Sequence, residues 1–149
     1  MISVNIRDCP QVLLRAFQEH EDDIGVHSWT HPYLATFTNG EVVAEIGWAL
    51  QIIRDSAGGR VPRYWRPPYG DADNRVRAIT PGVFGLTSLI WNRDTTDWSL
   101  AINGTTLEKI QDLFKEWLAG PRSPGLIILE HEIEGPDVTA FINALPLIR

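Results

Sequence analysis

The chain has 149 residues, of which 44% are hydrophobic and 21% charged. This composition predicts one domain with a sizeable core and excludes a disordered, collagen-like or coiled-coil chain. The formal net charge is −6, from 13 basic and 19 acidic residues, which argues against a nucleic-acid-binding surface. No apolar run reaches the roughly 20 residues of a membrane-spanning helix. The single cysteine, Cys9, cannot form a disulfide within the chain and says nothing firm about the redox compartment.

Helices and strands alternate in the hydrophobic pattern of the chain. Helices are predicted over residues 10–19, from a capping box at Thr38–Glu41 to Gly58, over 71–79, from a second capping box at Thr105–Glu108 to Gly120, and over 138–145. Short strands are predicted at residues 24–26, 63–65, 86–91 and 126–129. This alternation is typical of parallel βα units, in an open sheet or a barrel.

Titratable or cationic side chains follow each of the four predicted strands. They are, in chain order, His27, Arg66, Asp94 with Asp97, and His131. In parallel α/β folds the chemistry takes place at the carboxyl ends of the strands. The four junctions are therefore expected to contribute to one site at the same edge of the fold.

The segment His-Ser-Trp-Thr-His places His27 and His31 four residues apart. On one helical turn the two imidazoles would share a face and could bind one metal ion, as the histidines of the HExxH motif do. The alternative is a pair of structural histidines. A catalytic zinc usually has three protein ligands and a water, so the pair would need a further ligand.

Three other segments carry groups that could act in a site. Arg66 precedes a stiff Pro-Pro-Tyr-Gly turn and is suited to binding a carboxylate through two hydrogen bonds, although a surface arginine would also fit. Asp94 and Asp97 share a loop with an indole, and a helix cap or a solvated loop is the alternative. His131 follows an apolar strand, where it could be either a proton donor or a structural residue.

Taken together, four ordered motifs resemble those of the polysaccharide deacetylases of carbohydrate esterase family 4, and within it the fungal chitin deacetylases. The motifs are H-S-W-T-H-P at 27–32, R-P-P-Y-G-D at 66–71, D-T-T-D-W at 94–98 and L-E-H-E at 129–132. The resemblance runs from about Arg7 to the C-terminus. It implies an α/β fold, an incomplete and distorted (β/α) barrel of the deacetylase type, in a single domain over residues 1–149.

The resemblance also implies a reaction, which is metal-assisted hydrolysis of N-acetyl groups on chitin or N-acetylglucosamine oligomers. His27 and His31 would be ligands of a divalent metal, most simply zinc, with cobalt and nickel as alternatives. Arg66 would orient the catalytic base, His131 would be the general acid, and Asp97 would tune it. The substrate groove would be lined by Pro67, Pro68, Tyr69 (whose backbone N–H would help to hold the oxyanion), Trp98 and Leu129.

One family motif has no match. It is a strand ending in an Asp-Asp pair, which provides the catalytic base and the third metal ligand. Asp22 and Asp23 do not replace it, because they lie in an acidic turn just before the predicted His27 strand. We therefore expect an N-terminally truncated domain whose third ligand comes from Asp94, Asp97, a partner chain or water.

Three consequences of this departure stay open. A homodimer would cover the missing strands. The chain could be a catalytically impaired relative that only binds chitin-type polysaccharide, or a fragment of a longer, active protein. The resemblance implies a secreted or cell-wall location, although the first residues of this chain show no signal peptide.

Overall fold

The computed structural model describes residues 3–19, 23–121 and 123–148. It divides into two compact units, Met1–Ile90 and Trp91–Arg149, and each unit has its own parallel sheet and its own buried core. The single domain expected over residues 1–149 stays a prediction. In the described part of the chain, no helix is long and apolar enough to cross a membrane.

The first unit is a three-stranded parallel sheet with helices between the strands. Its elements are α1 (Ser3–Ile6), α2 (Pro10–Glu19), β1 (Gly25–Val26), α3 (Asn39–Ser56), β2 (Tyr64–Trp65), α4 (Asn74–Phe84) and β3 (Thr87–Ser88). The strand order is β1-β2-β3, with Val26 opposite Trp65 and Trp65 opposite Ser88. Short 3-10 turns follow β1 at Leu34–Thr36 and β2 at Pro68–Gly70.

Helix α3 begins where its sequence predicts. The Thr38 hydroxyl accepts a hydrogen bond from the Glu41 N–H, and the Glu41 carboxylate accepts one from the Thr38 N–H, so both halves of the capping box are present. The helix buries one apolar face in the core of the unit, which also contains Trp65. The indole N–H of Trp65 donates to the Ser88 hydroxyl at 2.7 Å, so even this fully buried ring has its polar atom satisfied.

The second unit is a two-stranded parallel sheet with two packed helices. Its elements are β4 (Arg93–Asp94), a 3-10 helix (Asp97–Ile102), α5 (Leu107–Ala119), β5 (Ile128–Leu129) and α6 (Gly135–Ile148). Asp94 pairs with Leu129 in the parallel register. The core contains Ile110 and Phe114 of α5 packed with Ala140 and Ala144 of α6.

The structure corrects several predicted boundaries. The strand predicted over 86–91 is wrong as one element: β3 ends at Ser88 and β4 begins at Arg93 in the other unit. The helix predicted over 71–79 instead begins after Asp73, because the Asp73 carboxylate accepts from the Val76 N–H at 2.8 Å. It also continues past Pro81, which lies in its last turn.

Helix α5 begins one residue later than its predicted capping box. The cap is Thr106, whose hydroxyl accepts from the Lys109 N–H at 3.2 Å. The Thr105 hydroxyl is buried and has no hydrogen-bond partner among the described residues. The last helix is longer than predicted at both ends, since α6 runs from Gly135 to Ile148.

Two glycines at the end of α4 provide a matched pair for testing how backbone conformation affects the free energy of unfolding. Gly82 lies inside the helix with no atom within 4 Å of an added Cβ, whereas Gly85 ends the helix at a φ of 68°. We expect Gly82→Ala to raise the free energy of unfolding by about 0.5–1 kcal/mol. Gly85→Ala should lower it by about 1–2 kcal/mol, because a side chain is disfavoured in the left-handed region. Urea denaturation of both variants measures the difference, and equal effects would contradict this account of the helix end.

Candidate active site

The residues predicted to carry chemistry lie at strand ends in both units. In the first unit, residues 27–32 follow β1 and form what we call the histidine loop. Their predicted arrangement on a helical turn is wrong, because Ser28 and His31 have φ angles of 64° and 65°. The rings of His27 and His31 are nevertheless neighbours, with centroids 4.9 Å apart and planes at 68°.

The histidine loop is held by hydrogen bonds that replace those of a helix. The Ser28 hydroxyl accepts from the His31 N–H at 3.0 Å. The carboxylate of Glu45 accepts from the Trp29 and Thr30 N–H groups and from the Thr30 hydroxyl, each at 2.8 Å. The backbone N–H groups between the two histidines are therefore bound by side chains instead of helix carbonyls, which explains the left-handed residues.

The surroundings of His27 favour the neutral form of its ring. Its pKa is lowered to about 4, chiefly because burial disfavours the charged form, while its hydrogen bond to the Arg66 carbonyl opposes this shift. Nδ1 lies 2.7 Å from that carbonyl oxygen. Since a carbonyl only accepts, Nδ1 carries the proton and Nε2 keeps its lone pair. A histidine that donates one ring N–H to a carbonyl and offers the other nitrogen is typical of a metal ligand.

Arg66 and the turn after it adjoin the histidine loop in the same unit. The Arg66 N–H donates to the Val26 carbonyl at 2.8 Å, which continues the pairing of β1 with β2. Burial lowers the pKa of the Arg66 guanidinium, but an arginine remains a cation at neutral pH. Pro67 and Pro68 are buried, so they shape the turn more than they present a surface.

Two exposed tyrosines form a stack beside His31. Tyr69 has a φ of 57°, and its ring makes a T-shaped contact with the His31 ring, with centroids 4.5 Å apart. Tyr33 stacks on Tyr69 with centroids 4.1 Å apart and planes at 14°. Both tyrosines are 55% exposed, so an aromatic surface lies beside the histidine loop. Tyr33 was not among the predicted residues, and its place two positions after His31 gave no signal of the stack.

In the second unit, buried Asp97 pairs with partly buried His131. The Asp97 side chain is fully buried, and its carboxylate accepts from Nδ1 of His131 at 2.7 Å, from the His131 backbone N–H and from the Trp98 N–H. Burial alone would raise the pKa of Asp97, but the hydrogen bonds from His131 outweigh it and lower the pKa. The hydrogen bond to Asp97 in turn raises the pKa of His131. Because Nδ1 donates to Asp97, Nε2 is the nitrogen that can exchange a proton.

The other predicted residues of this unit take different places. Asp94 is half-buried and accepts from the Thr96 N–H at 2.8 Å. Trp98 is 51% exposed, whereas Leu129 is only 8% exposed. The Leu129 carbonyl also accepts from the Thr95 hydroxyl at 3.1 Å, which connects the ends of β4 and β5.

Glu130 was missed by the sequence analysis. Its pKa is raised to about 7, first by burial and then by the negative charge of Asp97, with His131 opposing the shift. Its Oε1 atom is buried without a hydrogen-bond partner within the described ranges. The residue therefore adds a third titratable group beside the Asp97–His131 pair. Its position next to His131 in the L-E-H-E motif was visible in the sequence, but its burial was not.

The histidine loop fits part of a metal site. Two neighbouring imidazoles, one of them neutral with a free Nε2, match two of the three protein ligands of a catalytic zinc. Among the residues that the structure describes, no group of three or more His, Cys, Asp or Glu could hold a metal ion. Both oxygens of Asp97 are taken by His131, which argues against Asp97 as the third ligand. Asp22 lies outside the described residues.

The hydrogen bond between Asp97 and His131 predicts how the pKa of His131 responds to a substitution of Asp97. In Asp97→Asn the carboxylate charge and its strong hydrogen bond are lost, so we expect the pKa of His131 to fall. A pH titration of the His131 ring resonances by NMR measures this shift. Asp112→Asn, which removes an exposed carboxylate on α5, is the control and should leave the pKa of His131 unchanged. An unaltered pKa of His131 in folded Asp97→Asn would show that the pair does not set it.

Comparison with known proteins places these residues in a family. The sequence profile of the Polysaccharide deacetylase family matches residues 1–81. Chitin deacetylase 3 of the fungus Cryptococcus neoformans is 45% identical over 148 residues, which cover 98% of this chain and 36% of that protein. The chain thus spans about a third of the length of this curated relative.

Solved structures show the same fold. A family 4 carbohydrate esterase from Streptomyces lividans, in complex with acetate, has a TM-score of 0.80 at 24% identity over 98% of this chain and 70% of its own. A pseudoenzyme of carbohydrate esterase family 4 from Bacillus anthracis has a TM-score of 0.81 at 19% identity over 97% of this chain and 47% of its own. The predicted α/β fold, an incomplete barrel of the deacetylase type, is confirmed. With a profile match over more than half of its residues and a fungal relative at 45% identity, the chain belongs to the polysaccharide deacetylase family.

Proposed function

We propose that this chain takes part in hydrolysing N-acetyl groups of chitin or N-acetylglucosamine oligomers, as a metal-dependent deacetylase. The observation that carries the proposal is the pairing of His131 with buried Asp97, which holds the histidine in a single tautomer with a raised pKa. Membership of the polysaccharide deacetylase family supports the reaction class, and the similarity to a chitin deacetylase supports the substrate class.

His131 is the general acid in this proposal. Its raised pKa keeps a larger fraction of the ring protonated at neutral pH than an ordinary histidine would have. Water gives a proton to the catalytic base and adds to the acetyl carbonyl carbon, and the proton on Nε2 then passes to the sugar nitrogen as the C–N bond breaks, which releases a free amino sugar and acetate. Asp97 keeps Nδ1 protonated and stabilises the imidazolium before this transfer. The activity that depends on this acid should be lost as the pH rises through the pKa of His131.

His27 and His31 are the proposed metal ligands, with zinc as the first choice and cobalt or nickel as alternatives. When bound, the metal would polarise the amide carbonyl and lower the pKa of a bound water. Arg66 orients the catalytic base, which the described residues do not identify. His27 contributes a neutral imidazole at every pH well above 4, so metal binding at neutral pH need not displace a proton from it.

Two of the proposed substrate-binding residues have side chains that are exposed to solvent. The rings of Tyr69 and Trp98 are more than half exposed and offer flat apolar faces to sugar rings. The Tyr69 N–H would help to hold the oxyanion, Leu129 would contact the acetyl methyl, and Pro67 with Pro68 would fix the turn. A secreted or cell-wall location and a homodimer that covers the missing strands are carried over from the family resemblance as further proposals.

A second candidate function is binding of chitin-type polysaccharide without hydrolysis. It is favoured by one observation, since the described residues hold no group of three metal-binding side chains. A third metal ligand from a partner chain or from a longer form of the protein would restore the first candidate. The two candidates differ in one measurable product, acetate.

Acetate release from chitin oligomers with added zinc or cobalt tests the proposal. We expect release by the unmodified chain, and a loss of about 10²–10⁴-fold in rate for His131→Ala, which removes the general acid. His27→Ala should also abolish release, and titration calorimetry should show weaker zinc binding. Glu116→Gln, an exposed change on α5, is the control.

The outcomes separate the two candidate functions. Acetate release that persists in His131→Ala would overturn the role of His131. A folded chain that binds oligomers but releases no acetate would support the binding function instead.

A further inference from the structure

Glu45 is a buried carboxylate whose partners all come from the histidine loop. It lies on α3 and its exposed fraction is 9%. Oε2 accepts from the N–H groups of Trp29 and Thr30, and Oε1 accepts from the Thr30 hydroxyl, each at 2.8 Å. A glutamate is rarely buried without a cationic partner. In the part of the chain that the structure describes, Glu45 forms no ion pair, and its negative charge is stabilised by these three donors.

The donors belong to Trp29 and Thr30, two of the three residues between the two histidines. The loop turns through left-handed residues at Ser28 and His31, so it cannot satisfy the Trp29 and Thr30 N–H groups with helical hydrogen bonds. Glu45 satisfies both, and it does so from a helix whose neighbouring residues, Val42 and Ile46, are fixed in the core. Within the loop, the Ser28 hydroxyl accepts a further hydrogen bond from the His31 N–H.

We propose that Glu45 is a positioning residue that holds His27 and His31 beside each other for metal binding. The proposal rests on the metal role given above to these histidines. Glu45 acts through the backbone of the loop and has no hydrogen bond to either ring among those the structure shows. Outer groups that orient metal ligands typically change metal affinity by 10–100-fold when they are removed, and Glu45 is placed to be such a group.

Three variants separate the contributions of the carboxylate. Glu45→Ala removes all three bonds. Glu45→Gln keeps an oxygen that can accept from both N–H groups but loses the charge, and its amide can donate to the Thr30 hydroxyl. Thr30→Val removes one bond and keeps the carboxylate. Glu116→Gln is the matched control on an exposed helix face, and circular dichroism with thermal melting shows that each variant is folded.

Two readouts test the inference. By NMR, we expect faster hydrogen exchange at the Trp29 and Thr30 amides and weaker nuclear Overhauser effects between the His27 and His31 rings, increasing from Thr30→Val to Glu45→Gln to Glu45→Ala. By titration calorimetry, zinc affinity should fall about 10–100-fold in Glu45→Ala, with partial rescue in Glu45→Gln. Neither readout requires activity.

The outcomes distinguish this inference from the proposed function. If the unmodified chain binds no zinc, the proposed metal role fails, but the NMR readout still decides whether Glu45 holds the two rings together. If the exchange and the ring contacts are unchanged in folded Glu45→Gln and Thr30→Val, the positioning role is overturned. Zinc affinity within twofold of the unmodified chain in folded Glu45→Gln and Thr30→Val would overturn it as well.

Discussion

A buried carboxylate must be surrounded by donors, and this constraint organises both units. Glu45 in the first unit accepts three hydrogen bonds from the histidine loop, and Asp97 in the second accepts two from His131 and one from the N–H of its neighbour Trp98. A hydrogen bond to a charged group contributes about 1.5–3 kcal/mol. A left-handed residue other than glycine costs about 1–2 kcal/mol. Three such bonds therefore outweigh the two left-handed residues of the histidine loop, which is why the loop can leave the helical path.

The pKa values of His27 and His131 are shifted in opposite directions. Burial lowers the pKa of His27 to about 4, whereas the bond to Asp97 raises the pKa of His131. In both rings Nδ1 donates a hydrogen bond to an oxygen, so any proton exchange or coordination takes place at Nε2. The acceptor is a neutral carbonyl in one case and a carboxylate in the other. Burial beside a neutral acceptor thus favours neutral His27, whereas a carboxylate acceptor favours protonated His131, and residue type alone would not separate them.

Sequence patterns predicted the structural features that depend only on residues close together in the chain. The capping box of α3 was predictable because Thr38 and Glu41 are three residues apart and need no other element. The contact of Asp97 with His131 spans 34 residues, and only the family resemblance suggested it. Glu45 gave one local signal, since it lies on the apolar face of α3 with Val42 and Ile46. The left-handed histidine loop gave none, because it depends on that carboxylate from another element. The split of the predicted 86–91 strand likewise followed from pairing with different partners.

Glu130 shows how the pair in the second unit shapes its surroundings. Partial burial, and then the negative charge of Asp97, disfavour ionised Glu130, so its pKa rises to about 7. The folded chain therefore holds the Glu130 proton more tightly than the unfolded chain does. Stability from this group is therefore full below the ordinary glutamate pKa and is lost as the pH rises through about 7. Ionised Glu130 adds negative charge near His131 and favours the protonated imidazole. A carboxyl that weakens the fold near neutral pH thus favours the exchangeable Nε2 proton of His131, while Asp97 holds the proton on Nδ1.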